Sequence, residues 1–303
     1  MKDLLKNNTF ILMEAAIVER LRRSTSVRLH PSLVHAPLIY DQAGKQALQE
    51  LYTEYIDIAF NAGLPFLMYT PTWRTNRFRV LEEQAYHSIN YDAVSFMHHI
   101  RKTHRYGDGV IRIGGMIGCK NDCYNPSEGL SPSESEEFHT WQIDQLVQAG
   151  VDYLIAVTLP NIEEAIGIAK AMEKTRLPYI ISFVLSRDGN VLDGMDFITA
   201  INRIDSSTNH QPLGFMANCS YPSFVCAAKQ PPTLFNRFIG CQANASALDH
   251  SDLDGADQLE VEAVSDWGEE MIMLNRLYGV KILGGCCGTA TEHLQYLVDN
   301  ING

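Results

Sequence analysis

The feature that most constrains the fold of this chain is a regular alternation of short apolar runs with longer helical patterns. This alternation is typical of repeated β-α units and a parallel sheet. The runs predicted to be strands are Phe10–Met13, Leu64–Tyr69, Val110–Met116, Asp152–Val157, Tyr179–Leu185, Leu213–Ala217, Arg237–Cys241 and Val280–Leu283. Eight such units predict a (β/α)8 TIM barrel, and a doubly wound sheet is the alternative.

The segments between these runs have the spacing of amphipathic helices. The predicted helices are a short one within 15–40, then 43–62, 82–103, 133–149, 161–174, 193–204, 260–278 and 291–300. With 303 residues, of which 46% are hydrophobic, the chain can bury the core of one large barrel. No linker, low-complexity segment or short repeat divides the sequence, so we expect a single barrel domain over residues 1–303.

The charge of the chain limits its partners. A net charge of −12 and a pI near 5.2 argue against nucleic acid or an anionic membrane and leave small molecules. No apolar run approaches the roughly 20 residues of a membrane span. Charged residues interrupt the first apolar run too early for a signal peptide. We therefore expect a cytoplasmic protein, in which clustered thiols bind metal or are simply buried.

Two adjacent cysteines, Cys286 and Cys287, lie in a glycine-rich turn after the eighth predicted strand. Their Cα atoms are about 3.8 Å apart across a trans peptide, below the usual limit of about 4.4 Å for a disulfide. Gly284, Gly285 and Gly288 permit the unusual dihedrals and the close backbone approach of a curl that aims both sulfurs at one point. Converging thiolates favour a soft metal, most plausibly zinc. The alternative is a pair of small buried residues beside a turn.

A third cysteine, Cys219, directly follows the sixth predicted strand. Functional groups of barrel enzymes gather at the carboxyl ends of the strands, so Cys219 and the 286–287 pair are expected on the same face. Cys119 and Cys123 follow the third strand and should overhang that face as well. For these two, a second metal or redox role and accidental loop thiols are both open.

The Asn218-Cys219 pair after one strand and the run Gly284–Thr289 after a later one resemble the zinc-dependent homocysteine S-methyltransferase family. The resemblance covers essentially the whole chain and implies that Cys219, Cys286 and Cys287 are zinc ligands. Three thiolates leave the zinc centre with a charge near −1, which suits binding and activation of a fourth thiol. A structural site with Cys226 or Cys241 as fourth ligand is the alternative.

The resemblance implies methyl transfer from a sulfonium or ammonium donor to a thiol, by default homocysteine, which becomes methionine. The nucleophile is then the zinc-bound thiolate of the substrate, and no protein base is assigned. Since one barrel accounts for all 303 residues, we expect no cobalamin requirement. The same chemistry on a different thiol, and a non-catalytic metal-binding relative, are the alternatives.

The positions that hold the amino acid in the family differ here. After strand one the family has Asp-Gly, whereas this chain has Glu14 and Ala15. After strand four the family has Glu-Thr-Ile-Pro, whereas this chain has Val157-Thr158-Leu159-Pro160. The substrate-binding residues predicted from this match are Glu14, Ala15, Thr158, Asn218 and Gly285. An unpaired buried ammonium costs several kcal/mol, so the missing carboxylate predicts weak binding of free homocysteine, or preference for a thiol without the ammonium group.

Overall fold

The computed structural model of the chain describes residues 1–107, 109–249 and 260–301. Eight parallel strands close into a barrel in which each strand pairs with the next and the eighth pairs with the first. The strands are β1 (Ile11–Met13), β2 (Phe66–Tyr69), β3 (Ile111–Ile117), β4 (Tyr153–Leu159), β5 (Tyr179–Phe183), β6 (Gly214–Asn218), β7 (Phe238–Ala243) and β8 (Ile282–Gly285). The predicted (β/α)8 barrel is confirmed, because a doubly wound sheet would leave β1 and β8 unpaired with each other.

Helices occupy the connections between the strands. They are α1 (Lys2–Asn7), α2 (Val18–Arg23), α3 (Gln42–Asn61), α4 (Arg77–Glu82), α5 (Ile89–Thr103), α6 (Pro132–Ala149), α7 (Ile162–Glu173), α8 (Phe197–Ser207), α9 (Val264–Tyr278) and α10 (Thr291–Asn300). The first of these, α1, precedes the barrel and packs Leu4 and Leu5 against its interior side chains. Lys281, just before β8, donates a hydrogen bond to the carbonyl of Leu5 at 2.6 Å, so α1 covers the amino-terminal end of the barrel.

The core has two layers because successive strand residues point to opposite faces. In β4, Leu154 and Ala156 face the surrounding helices, whereas Tyr153, Ile155 and Val157 face the barrel interior. The interior layer is completed by Ile11, Met13, Leu67, Tyr69, Met116, Ile180, Met216 and Ile282. Apolar side chains fill the barrel interior, and polar side chains lie at the carboxyl ends of the strands, where the barrel opens.

The helix boundaries differ from the sequence prediction where tertiary contacts compete with the helical pattern. The helix predicted over 82–103 begins only at Ile89, and the unpredicted α4 ends at Glu82; between them Tyr86 stacks on Tyr40 with ring centroids 5.6 Å apart. Packing of this kind overrides local propensity. The helix predicted from 193 begins at Phe197, because the Asp196 side chain caps it by accepting from the Thr199 amide at 3.0 Å.

The acidic residues Asp252, Asp254 and Asp257 of the connection after β7 lie outside the described residues. Among the helices that the structure describes, none has the length and apolarity needed to cross a membrane.

Candidate active site

A cavity of about 650 Å³ opens at the carboxyl ends of the strands. Every residue predicted from the sequence to bind metal or substrate lines it: Glu14, Ala15, Thr158, Asn218, Cys219, Gly285, Cys286 and Cys287. These residues come from the ends of β1, β4, β6 and β8, which are distant in sequence but adjacent at this face of the barrel. The barrel thus brings the whole predicted set together.

The three predicted ligands converge at this cavity. The Sγ atoms of Cys219, Cys286 and Cys287 all lie within 4.8 Å of one another, and those of Cys219 and Cys286 are 2.6 Å apart. In the part of the chain that the structure describes, no other group of three or more histidine, cysteine or acidic side chains converges in this way. Cys226 is outside the cluster and donates to the Arg187 carbonyl at 3.2 Å, and Cys241 is buried in β7.

The three convergent thiols form a donor set that fits a soft divalent cation. Hydrogen bonds from Cys219 and from Cys286 hold the pKa of the Cys287 thiol well below its usual range, although burial opposes this. The contacts with Cys219 and Cys287, followed by burial, raise the pKa of Cys286 well above its usual range. The three sulfurs thus perturb one another, and Cys287 is the most acidic of the three thiols. Zinc is bound by sets of this kind, and its charge allows the remaining thiols to ionise.

The backbone aims these thiols by two different means. Cys219 adopts the left-handed conformation, with φ of 52°, immediately after β6, and Gly288 has φ of 81° in the turn after β8. Of the two roles expected of the glycines, Gly288 supplies the unusual dihedral, whereas Gly284 and Gly285 do not have positive φ and supply the close approach. They are required for close packing, because a Cβ on Gly285 would lie 2.6 Å from Cβ of Thr289, and one on Gly284 would lie 2.8 Å from the Glu14 carbonyl oxygen.

Asn244 braces the two cysteine segments, and the sequence analysis missed it. Its side-chain amide donates to the Cys219 carbonyl at 3.0 Å, and its side-chain oxygen accepts from the Cys287 amide at 3.1 Å. The residue is buried directly after β7, the strand between the two that carry cysteines. The sequence signal that could have identified Asn244 is a polar residue directly after β7, the strand between β6 and β8.

Asn218 and Thr158 support each other. Asn218 accepts from the Thr158 amide at 2.8 Å and donates to the Thr158 hydroxyl at 2.9 Å, while the Ser182 hydroxyl donates to Asn218 at 2.7 Å. Thr158 has φ of 58°, which is uncommon for a β-branched residue and is held by these bonds. The Asn218 amide also lies 3.4 Å from the Cys219 sulfur. Both residues therefore position the ligand-bearing end of β6.

Glu14 faces the cavity from the end of β1. Its carboxyl group accepts from the Tyr69 amide at 2.7 Å. Burial raises its pKa well above the usual range, against the lowering effect of the Tyr69 hydrogen bond. A bound ammonium group would favour the carboxylate instead. Val157 also lines the cavity, where it is apolar and buried and offers no charge to a ligand.

The segment after β3 covers one side of the cavity and contributes Cys123 and Tyr124 to its wall. Glu164 anchors this segment by accepting from the Lys120 amide at 2.8 Å, and it pairs with the buried His139 at 3.0 Å. Cys119 and Cys123 are buried and do not join the three-sulfur cluster, so their metal or redox role stays a hypothesis. Tyr124 was not predicted; burial and then the nearby thiols raise its pKa.

Sequence comparison with known protein families identifies relatives of this chain. Residues 11–301 match the family described as homocysteine S-methyltransferase. The chain belongs to the homocysteine S-methyltransferase family. Homocysteine S-methyltransferase 1 of Arabidopsis thaliana is 26% identical over 172 residues, and YbgG of Bacillus subtilis, also a homocysteine S-methyltransferase, is 24% identical over 180 residues. The alignments span 55% and 57% of this chain and about half of each relative, 52% and 54%.

Solved structures confirm the fold of the family in this chain. The metallated form of the homocysteine methyltransferase MmuM from Escherichia coli superposes with a TM-score of 0.76 at 17% identity, covering 98% of each chain. The oxidised form of the same protein gives a TM-score of 0.75 at 19% identity. The shared barrel is thus retained although few residues are identical.

Proposed function

We propose that this chain transfers a methyl group from a sulfonium or ammonium donor to the thiol of homocysteine, giving methionine, with zinc held by Cys219, Cys286 and Cys287. The observation that carries the proposal is the convergence of three cysteine sulfurs on a cavity at the open end of a barrel of this family. A cavity of about 650 Å³ has room for two small molecules side by side. In this proposal the acceptor thiol binds beside the three sulfurs.

The chemistry follows from the donor set. Zinc bound by three thiolates lowers the pKa of a thiol from about 8.5, so that the nucleophile is available at neutral pH. The acceptor sulfur forms a bond to the methyl carbon while the donor's carbon–sulfur or carbon–nitrogen bond breaks. The donor takes that electron pair and leaves as a neutral sulfide or amine. No proton moves in this step, so it needs no protein base.

The chain's own residues hold and orient these groups. Asn244 and Asn218 fix the segments that carry the cysteines, and Glu14 lies where it can pair with the ammonium group of the acceptor. Buried Met116 and Val157 form apolar parts of the wall and keep water from the methyl group in transit. Positioning and exclusion of water are the protein's contributions to such a transfer.

Methyl transfer is expected to proceed without cobalamin. The sequence contains no Asp-x-His-x-x-Gly run of the kind that accompanies cobalamin binding. Purified zinc-loaded protein, homocysteine and an isotopically labelled methylsulfonium donor should give labelled methionine, measured by mass spectrometry, at a rate that added cobalamin does not change. Activity that appears only after cobalamin is supplied would contradict the donor assignment. Absence of transfer to any of several thiols would contradict the proposed function itself.

Val157→Glu is expected to improve the use of homocysteine. The new carboxylate would lie on the cavity wall, where it can pair with the substrate ammonium, and such a pair adds a charge-assisted bond of about 1.5–3 kcal/mol. The expected result is a Michaelis constant for homocysteine lower by about tenfold or more. The control is Val157→Gln, which has similar volume without the charge, with the melting temperature of both variants measured. A parent protein that already uses micromolar homocysteine would show that another residue supplies this charge.

The apolar surface of Val157 also favours a second acceptor class, a thiol without a free ammonium group. Such a thiol would leave no unpaired charge against this wall. Parallel measurements with homocysteine and 4-mercaptobutanoate distinguish the two acceptors. Higher kcat/KM for 4-mercaptobutanoate in the parent protein, reversed in Val157→Glu, would identify the second class as the preferred acceptor.

A further inference from the structure

The cavity wall includes a positively charged side chain that has no role in the proposed methyl transfer as described so far. Three arginines line the cavity: Arg22, Arg23 and Arg74. Arg23 forms an ion pair with Glu19 on its own helix, α2. Arg74 is buried, donates to the carbonyl of Cys119 at 3.1 Å, and lies 4.3 Å from the ring centroid of Trp73. These two guanidinium groups therefore have structural partners.

Arg22 is the exception. It is exposed on α2, and among the described residues it has no hydrogen-bond or ion-pair partner. The acidic side chains that line the same cavity are Glu14, Glu19, Asp122 and Glu260, and none forms an ion pair with it. Arg22 lines the same cavity as Cys219, Cys286 and Cys287, so a ligand bound beside these sulfurs shares the cavity with its guanidinium. A cation on the cavity wall without a partner can serve an anionic group of a ligand.

We propose that Arg22 binds the carboxylate of the acceptor thiol. A planar guanidinium matches a carboxylate with two parallel N–H···O bonds and remains charged at any working pH. With the acceptor sulfur at the cysteines, the carboxylate of the acceptor lies in the cavity that Arg22 of α2 also lines. This assignment rests on the proposed thiol methyl transfer. It adds a partner for the anionic end of the substrate, whose cationic end can pair with Glu14 but not with the apolar Val157.

Binding measurements without a methyl donor test this assignment. Titration calorimetry of zinc-loaded full-length protein would compare 4-mercaptobutanoate, which has the carboxylate alone, with 3-aminopropane-1-thiol, which has the ammonium alone. We expect Arg22→Gln to weaken binding of the carboxylate thiol by about tenfold or more and to change binding of the amine thiol less than twofold. Arg22→Lys should recover part of the loss, because lysine keeps the charge without the paired donors. Arg23→Gln is the matched control, since its partner is Glu19.

The alternative outcomes overturn the assignment. An equal loss for both thiols would mean that Arg22 acts on the sulfur cluster rather than on the carboxylate. No loss for either would mean that the carboxylate binds elsewhere. A loss confined to the methyl donor, seen as a higher KM for dimethylsulfonioacetate but not for trimethylsulfonium, would place Arg22 at the donor. If no thiol is methylated but the binding preference holds, the proposed function fails and the role of Arg22 stands.

Discussion

Replacement of Cys286 by serine is expected to abolish methyl transfer and to remove most of the bound zinc. The Cys286 sulfur lies within 4.8 Å of those of Cys219 and Cys287, and serine would place a weakly acidic hydroxyl where zinc needs a thiolate. Loss of one of three protein ligands removes both affinity for the metal and its activation of the acceptor thiol. Zinc content by inductively coupled plasma mass spectrometry and the methyl-transfer assay would be measured on the same samples.

The control for this experiment is Cys226→Ser. Cys226 lies outside the cluster, and its sulfur donates to the Arg187 carbonyl at 3.2 Å, a bond that a serine hydroxyl can also make. This variant should retain both zinc and activity. If Cys286→Ser kept its zinc, or Cys226→Ser lost it, the assignment of the three ligands would be wrong.

Gly285→Ala is expected to have the second largest effect. The added methyl would lie 2.6 Å from Cβ of Thr289, and the Thr289 hydroxyl itself donates to the Cys286 carbonyl at 2.6 Å and accepts from the Ala16 amide at 3.3 Å. The turn must therefore shift, and with it the sulfur of Cys286. Overpacking of this kind costs about 1–3 kcal/mol of unfolding free energy. Displacing a metal ligand should weaken zinc binding by roughly 10-fold to 100-fold, as loss of outer-shell support does.

Chelator competition for zinc and chemical denaturation measure these two effects. The matched control is Gly109→Ala, because a methyl at Gly109 would have no heavy atom within 4 Å and the residue does not have positive φ. We expect Gly109→Ala to change neither quantity appreciably. Unchanged zinc affinity in Gly285→Ala would show that the turn tolerates the methyl and that the packing of Thr289 does not position the ligand.

The sequence predicted the barrel well because the pattern of each strand is local. All eight strands lie within a few residues of their predicted positions. The three cysteines could be placed together because the carboxyl ends of parallel strands meet at one face, whatever their separation in the chain. What could not be predicted is the break between α4 and α5, since it depends on Tyr86 contacting Tyr40, 46 residues earlier in the chain.

The supporting residues of the site were less accessible to sequence reasoning. Asn244 bonds to both cysteine segments, but its sequence neighbourhood contains nothing that identifies those partners. The requirement for Gly285 arises from contact with Thr289 rather than from its backbone angle. Arg22 can be recognised only after its neighbours Arg20 and Arg23 are seen to be paired. In each case the contacts of the residue depend on which segments the fold brings together, and the neighbouring sequence does not reveal them.

X-ray absorption at the zinc edge of the purified protein tests directly whether the three cysteines hold the metal. We expect about one zinc per chain with three sulfur ligands from Cys219, Cys286 and Cys287 at about 2.3 Å, and one lighter ligand when no thiol is added. Four sulfur ligands in the thiol-free protein would indicate a closed, structural site. A shell of nitrogen and oxygen ligands would place the metal away from the three cysteines and rule out the proposed centre.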